Sequence, residues 1–268
     1  MDLTKKDILA LDSRLFSAAE KQAYIDLLYG NPQEWTWKLD LESAAANIRR
    51  WKLFFATEQR SGQPYCVSHK ALMRLAKLSP PQKRATSVEA FTDWIYRLYV
   101  PAKDYASLAR GRWAEREIAR RRIPIPTHGR WKLIHNGMGD NFKNAFSIAS
   151  LSINGMPLRG SPDLAFRERG TKRILIVEVK ATEAIAPADG WPNMRAQLWA
   201  YSQIDEWFAA PEVILVGEIW GIDLGVRLRK VVRWRKGEQQ FERDNSELFD
   251  CYRSYFEIQG TPVNGDRS

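Results

Sequence analysis

The sequence predicts an α/β fold with a mixed central sheet flanked by helices and preceded by a helical N-terminal region. Three observations predict it: helical apolar spacing through about residue 104, a two-residue hairpin signal at Asn154-Gly155, and strand-like runs interleaved with helices after it. The expected organisation is a helical region over 1–104 and a second domain over 105–268.

In chain order, LDLESAAANIRRWKLFFATEQ (39–59), SHKALMRLAKL (68–78) and SVEAFTDWIYRLYV (87–100) combine good helix formers with helical apolar spacing. Ser68 and Ser87 are the expected N-caps, and NPQ, SGQP and SPPQKRATS break the helices apart. The aromatics of this region, Trp35, Trp37, Trp51 and Trp94, are expected in the core. YASLARGRWAEREIARR (105–121) reads as one helix, stopped by IPIP at 123–126. FSIASLSI (146–153) and MPLRGSPDLAF (156–166) flank the Asn154-Gly155 turn as two strands. Arg169-Gly170 turns the chain into a third strand, KRILIVEVKAT (172–182). A helix over 194–208, strands over 213–221 and 225–235, and a last helix over 245–259 complete the order. No repeat or low-complexity tract interrupts it.

With 268 residues, 44% hydrophobic and 27% charged, the chain can bury a proper core. No window approaches the roughly 18 consecutive apolar residues of a membrane span. The first residues, MDLTKKDILALD, mix acids with bases around no long apolar run, so no secretory signal is expected and the cytoplasm is the expected compartment. Cys66 and Cys251 lie far apart and outside any CxxC pair, which argues against a disulfide scaffold, a zinc ribbon or a four-cysteine iron–sulfur cluster. Forty-one Lys and Arg against 32 Asp and Glu give a net charge of +9, which favours a polyanionic partner. Eight basic residues fall between Arg110 and Lys132 (Arg110, Arg112, Arg116, Arg120, Arg121, Arg122, Arg130, Lys132) against two acids, Glu115 and Glu117. Charge alone leaves phosphate binding and a solvated helix face equally open.

The run ILIVEVKA carries a contradiction: a strand apolar enough for the middle of a sheet includes Glu178 and Lys180. Side chains alternate along a strand, so Ile174, Ile176, Glu178 and Lys180 point one way and Leu175, Val177, Val179 and Ala181 the other. Asp163, just after Pro162, can be returned beside Glu178 by an antiparallel pairing. Two carboxylates brought together raise a pKa unless a cation sits between them. Mg²⁺ suits such a place, since it takes oxygen ligands from one or two carboxylates, waters and a substrate phosphate. Lys180 would hold a water or balance phosphate charge. A structural Glu178–Lys180 pair in an unrelated α/β protein is the competing reading, and apolar residues generally serve stability better than such a pair.

Pro162, Asp163, Glu178 and Lys180 resemble the signature of the PD-(D/E)XK nuclease superfamily. Gly111-Arg-Trp-Ala-Glu115 resembles the GxxxE that many members carry on the helix before the hairpin. Leu108, Gly111, Ala114, Glu115 and Ile118 share one helix face, whereas Glu117 lies roughly 200° from Glu115 among the arginines. Gln197-Leu-Trp-Ala-Tyr201 resembles the QxxxY element of the RecB-type, lambda-exonuclease-like branch, with both side chains on one face a turn apart.

The resemblance implies a restriction-endonuclease-like core and metal-dependent hydrolysis of DNA phosphodiesters. Asp163 and Glu178, with Glu115 directly or through water, would hold Mg²⁺, for which Mn²⁺ substitutes. Lys180 would assist the attacking water and Gln197 would order the site, completing the catalytic set. Tyr201 would contact the substrate backbone or pack beside it, and Arg110, Arg112 and Arg116 would bind backbone phosphates. The four cysteines of some relatives are absent, so no iron–sulfur cluster is expected. A RecB-type exonuclease or DNA-processing nuclease, a site-specific endonuclease of restriction, defence or transposition, and a non-catalytic DNA-binding module on the same fold all remain open. Residues 1–104 carry no recognisable chemistry and are compatible with a homo-oligomer contact or a partner protein. His69, His128 and His135 lack metal spacing and are expected on the surface or in loops. Trp191, Trp199, Trp207 and Trp220 are expected in the core.

Overall fold

The computed structural model describes positions scattered between 2 and 25, then 69–99 apart from 83–84, 111–119 apart from 112, and 130–257 apart from 139–144, 183–185, 187–189 and 223–225. The helix expected over 39–59 and the N-cap at Ser68 lie outside these residues. So do Trp35, Trp37, Trp51 and Cys66.

The N-terminal stretch contributes a two-residue strand β1 (Asp2–Leu3) and a short helix α1 (Lys5–Leu9). Helices α2 (His69–Leu78) and α3 (Val88–Tyr99) follow where the apolar spacing places them. Ser87 caps α3, its Oγ accepting the Ala90 N–H at 3.1 Å. Residues 113–119 form helix α4. Then come β2 (Trp131–Asn136), β3 (Phe146–Ile153), β4 (Met156–Gly160), β5 (Leu164–Glu168) and β6 (Ile174–Thr182). Helix α5 (Pro192–Ser202), a 3-10 turn at Asp205–Trp207, β7 (Val213–Gly221), β8 (Arg227–Arg235) and α6 (Gln239–Glu257) complete the order.

The main sheet runs β1-β2-β5-β6-β7-β8, with every pairing antiparallel except β6 with β7. The parallel pair requires a crossover, and α5 is that crossover. β3 and β4 form a separate two-stranded ribbon, closed by Asn154 (φ 49°) and Gly155 (φ 77°) in the left-handed conformation that a tight hairpin turn demands. The fold is therefore mixed α/β, as expected, with departures in detail. β2 is an additional strand. The single strand expected over 156–166 breaks at 161–163, so that β4 serves the ribbon and β5 the main sheet. The helix expected through 208 ends at Ser202, and the one expected from 245 begins at Gln239.

Two apolar layers sandwich the sheet. Ile174, Ile176, Leu215 and Ile219 face α3, α5 and α6 in a layer that also takes in Leu72, Phe91, Trp94, Trp199, Trp207 and Phe249. Leu175, Val177, Val179, Ile214, Val216 and Trp220 face the other way, against Ile8 and Ile118. Trp199, Trp207 and Trp220 are thus core residues, as expected, while Trp191 is half-buried against the first layer. At the far end of β5 and β6, the buried Glu168 carboxylate accepts from Arg173 Nε at 2.5 Å and Nη2 at 2.9 Å, and pairs with Thr171 and Arg130. Among the described residues no helix is long and apolar enough to cross a membrane.

Candidate active site

The alternation along β6 holds as the sequence predicts. Ile174 and Ile176 belong to the α5 side of the sheet, so Glu178, Lys180 and Thr182 rise from that same face at the C-terminal end of the strand. β5 pairs antiparallel with β6, Leu164 opposite Val177 and Ala165 opposite Ile176. One residue before β5, Asp163 therefore arrives beside Glu178 and Val179. Its Oδ2 accepts the Val179 N–H at 2.7 Å.

Glu178 is 2% exposed. Its Oε1 accepts from Lys180 Nζ at 2.5 Å, while its Oε2 is buried and, among the described residues, without a hydrogen-bond partner. A carboxylate oxygen buried unpaired costs free energy, so an occupant with positive charge or a donor would relieve it. Burial and the Glu178 charge push the Asp163 carboxyl up to about 8, against the pull of Lys180 and the Val179 N–H. Burial raises Glu178 as well, with Lys180 opposing and Glu115 reinforcing the shift. Burial works against the Lys180 charge, but the Glu178, Asp163 and Glu115 carboxylates outweigh it and hold the ammonium protonated.

Glu115 stands on α4 with Ala114 and Ile118, both fully buried, while Arg116 is exposed. Glu115 is half-buried, and its charge is felt at Glu178 and Lys180. Glu117, also half-buried, faces away from that side. Among the described residues no three His, Cys, Asp or Glu side chains form a compact metal-holding group. Asp163 and Glu178 are the close pair, and Glu115 acts on Glu178 through its field. Arg110 and Arg112 lie outside the described residues.

Gln197 and Tyr201 come down on this end from α5. Gln197 Nε2 donates to Tyr201 Oη at 3.1 Å, and Tyr201 Oη donates to the Ser161 carbonyl at 3.0 Å. Tyr201 is 4% exposed, and burial next to Glu178 raises its pKa well above the ordinary value. Of the two expected roles for Tyr201, packing beside the site is the one its geometry fits: its hydroxyl fixes the chain two residues before Asp163.

His135 corrects the expectation of a surface or loop histidine. It lies in β2, 8% exposed, with Nε2 3.0 Å from Ser161 Oγ and its ring edge-on to Phe146 at 4.8 Å. Burial lowers its pKa, against a hydrogen bond with the Pro162 backbone, so it is neutral at pH 7. Gly137 follows, donating its N–H to the Asp163 carbonyl at 2.8 Å. A methyl group on Gly137 would lie 2.5 Å from the Pro162 carbonyl oxygen and 2.7 Å from Ser161 Oγ, so only glycine lets β2 run this close. His135, Gly137 and Ser161 thus brace the Pro162-Asp163 corner. Sequence reasoning missed them because His135 and Ser161 are 26 residues apart. The one local signal was a His-Asn-Gly sequence ending a strand.

No family model matches the chain, and a search of curated proteins returns no match. Among solved structures, the crystal structure of SSO0001 is similar at 14% identity and a TM-score of 0.28, covering 70% of this chain and 76% of that one.

Proposed function

We propose that the protein is a divalent-metal-dependent nuclease of the PD-(D/E)XK type, hydrolysing DNA phosphodiester bonds at the Asp163–Glu178–Lys180 end of the sheet. A single observation carries the reading: the buried Glu178 and the half-buried Asp163 crowd two carboxyl groups beside Lys180, and among the described residues one of their oxygens, Glu178 Oε2, has no hydrogen-bond partner. That donor set fits a hard cation, which takes oxygen ligands and tolerates few protein groups when substrate and water supply the rest. The order of elements supports a restriction-endonuclease-like core: a helix bearing Glu115, an antiparallel pair bearing Asp163 and Glu178, and a crossover helix bearing Gln197 and Tyr201.

Asp163 and Glu178 would hold Mg²⁺ or Mn²⁺ directly, and Glu115, half-buried and felt electrostatically, would act through water. A metal ion so bound supplies Lewis acidity and lowers the pKa of bound water. The chain's own contribution is positional. Val179 N–H fixes the Asp163 carboxylate, and Tyr201 and His135 fix the loop that presents it. Lys180, kept protonated by three carboxylates, orients the attacking water and offsets charge gathering on the phosphate. The high positive charge of the chain suits a polyanionic substrate.

Purified protein with Mg²⁺ or Mn²⁺ should degrade or nick DNA, and EDTA should stop it. Comparing linear with covalently closed circular DNA, single- and double-stranded, separates end-dependent from internal attack. Undiminished cleavage by Asp163→Ala would overturn the assignment.

A further inference from the structure

Where β8 pairs with the C-terminal end of β7 lies a second basic feature that the sequence signature does not touch. β6 and β7 run parallel in register, Lys180 beside Ile219 and Thr182 beside Gly221. Gly221 therefore shares a sheet face with Ile219, Lys180 and Glu178. Across β7, the register with β8 slips by one residue between Ile219–Lys230 and Trp220–Leu228, leaving Arg229 as the extra residue of a bulge. Bulges re-aim a side chain, and this one sends Arg229 across the bare α-carbon of Gly221. A methyl group on Gly221 would lie 2.5 Å from Arg229 Cζ and 2.6 Å from Cδ. The Arg229 side chain thus lies over β7, on the sheet face from which Lys180 rises. Strand rise and spacing put the Gly221 α-carbon roughly 8 Å from that of Lys180.

Arg227 and Arg229 are exposed, and Lys230 is half-buried on that same face opposite Ile219. β8 is an edge strand, so nothing in the sheet lies beyond it. A planar guanidinium offers a fork of donors matched to phosphate oxygens.

We infer that Arg229, seated over Gly221, is a phosphate-binding residue that takes the DNA backbone at a phosphate beside the scissile one and leads the strand out along β8. This rests on the nuclease reading for the identity of the polyanion. It assigns the edge strand β8 a role in substrate recognition, separate from the metal-holding carboxylates and from the Arg110–Lys132 run.

The test uses the full chain and a fluorescein-labelled DNA duplex and single strand, with affinity read by anisotropy at several salt concentrations and cleavage read with Mg²⁺. Arg229→Ala should weaken binding about tenfold, the scale of one charge-assisted hydrogen bond. It should reduce the slope of log affinity against log salt by about one and raise KM at unchanged kcat. Gly221→Ala leaves the charge in place and displaces only the side chain, so it should weaken binding in the same direction. The double variant should be no weaker than Arg229→Ala alone, because both act on one contact. Thermal midpoints near that of the unaltered protein establish that each variant is folded. Wild-type cleavage with unchanged binding by Arg229→Ala would overturn this inference alone. Loss in Arg229→Ala without loss in Gly221→Ala would overturn the seat at Gly221 and leave only diffuse charge. A wild-type protein that neither binds nor cuts DNA would overturn the nuclease reading and this inference together.

Discussion

Tyr201 donates its hydroxyl hydrogen to the Ser161 carbonyl at 3.0 Å, joining the crossover helix to the corner that presents Asp163. The bond spans 40 residues and reaches the carboxylate pair without touching it. Tyr201→Phe removes that donor and leaves the Gln197 amide without its acceptor. The expected result is a loss of about 1–2 kcal/mol in stability and a fall in kcat with KM little changed, read by denaturant melts and steady-state cleavage.

Lys180→Ala removes the cation that the three carboxylates hold. Cleavage should fall by at least about a hundredfold while DNA affinity changes little, as measured by digestion and anisotropy on one preparation. Cleavage at wild-type rate would remove Lys180 from the chemistry.

Asp163 supplies a pH dependence whose sign is fixed by its shift. In the folded chain its carboxyl keeps a proton up to about 8, against an ordinary value of 3.8. Between those values the folded state binds more protons than the unfolded one, so metal-free stability should fall as pH rises through that window. A series of thermal melts in EDTA from pH 5 to pH 8 reads this directly. Asp163→Asn should flatten the trend, and added Mg²⁺ should stabilise the wild type more at pH 8 than at pH 5.

The Glu168 cluster behaves in the opposite sense. Burial would raise this carboxyl, but hydrogen bonds from Arg173 and Thr171 and the charges of Arg173 and Arg130 outweigh it and lower the pKa. Its stabilisation is present above the ordinary value of 4.5 and is lost as pH falls through the depressed folded value. Arg173→Ala leaves the buried Glu168 carboxylate with Thr171 and Arg130 alone and should cost about 1–3 kcal/mol at pH 7. That penalty should shrink in acid, as urea melts at pH 7 and pH 3 would show.

How much of this was legible in the sequence depended on whether each element is dictated locally. β6 was legible because a continuous apolar run bounded by turns has few alternatives, and the placement of Glu178 and Lys180 follows from alternation alone. The hairpin at Asn154-Gly155 was legible because its two residues accept positive φ. β2 was not, because a bulge between Leu133 and His135 breaks its alternation and leaves Trp131 and His135 as its buried positions. The break between β4 and β5 was hidden for a related reason. Residues 156–166 read as one extended segment, and what divides them is contact with distant residues: Tyr201 and His135 at Ser161, Gly137 at Asp163. The helix over 194–208 overran because Ile204 and Trp207 continue the apolar spacing beyond the last α-helical turn. Arg229 was unreadable in principle, since one residue's slip in register decides where it points.

The lone parallel pairing in the main sheet has a temporal consequence. Antiparallel neighbours β5 and β6 can zip together as soon as both exist, bringing Asp163 to Glu178 early. The clasp from Tyr201 sits on the crossover helix that the parallel pairing requires, and forming it closes a longer loop, 40 residues back to Ser161. A refolding protein should therefore assemble its acidic pair before it gains competence to cut, and catalytic recovery should trail the return of sheet signal.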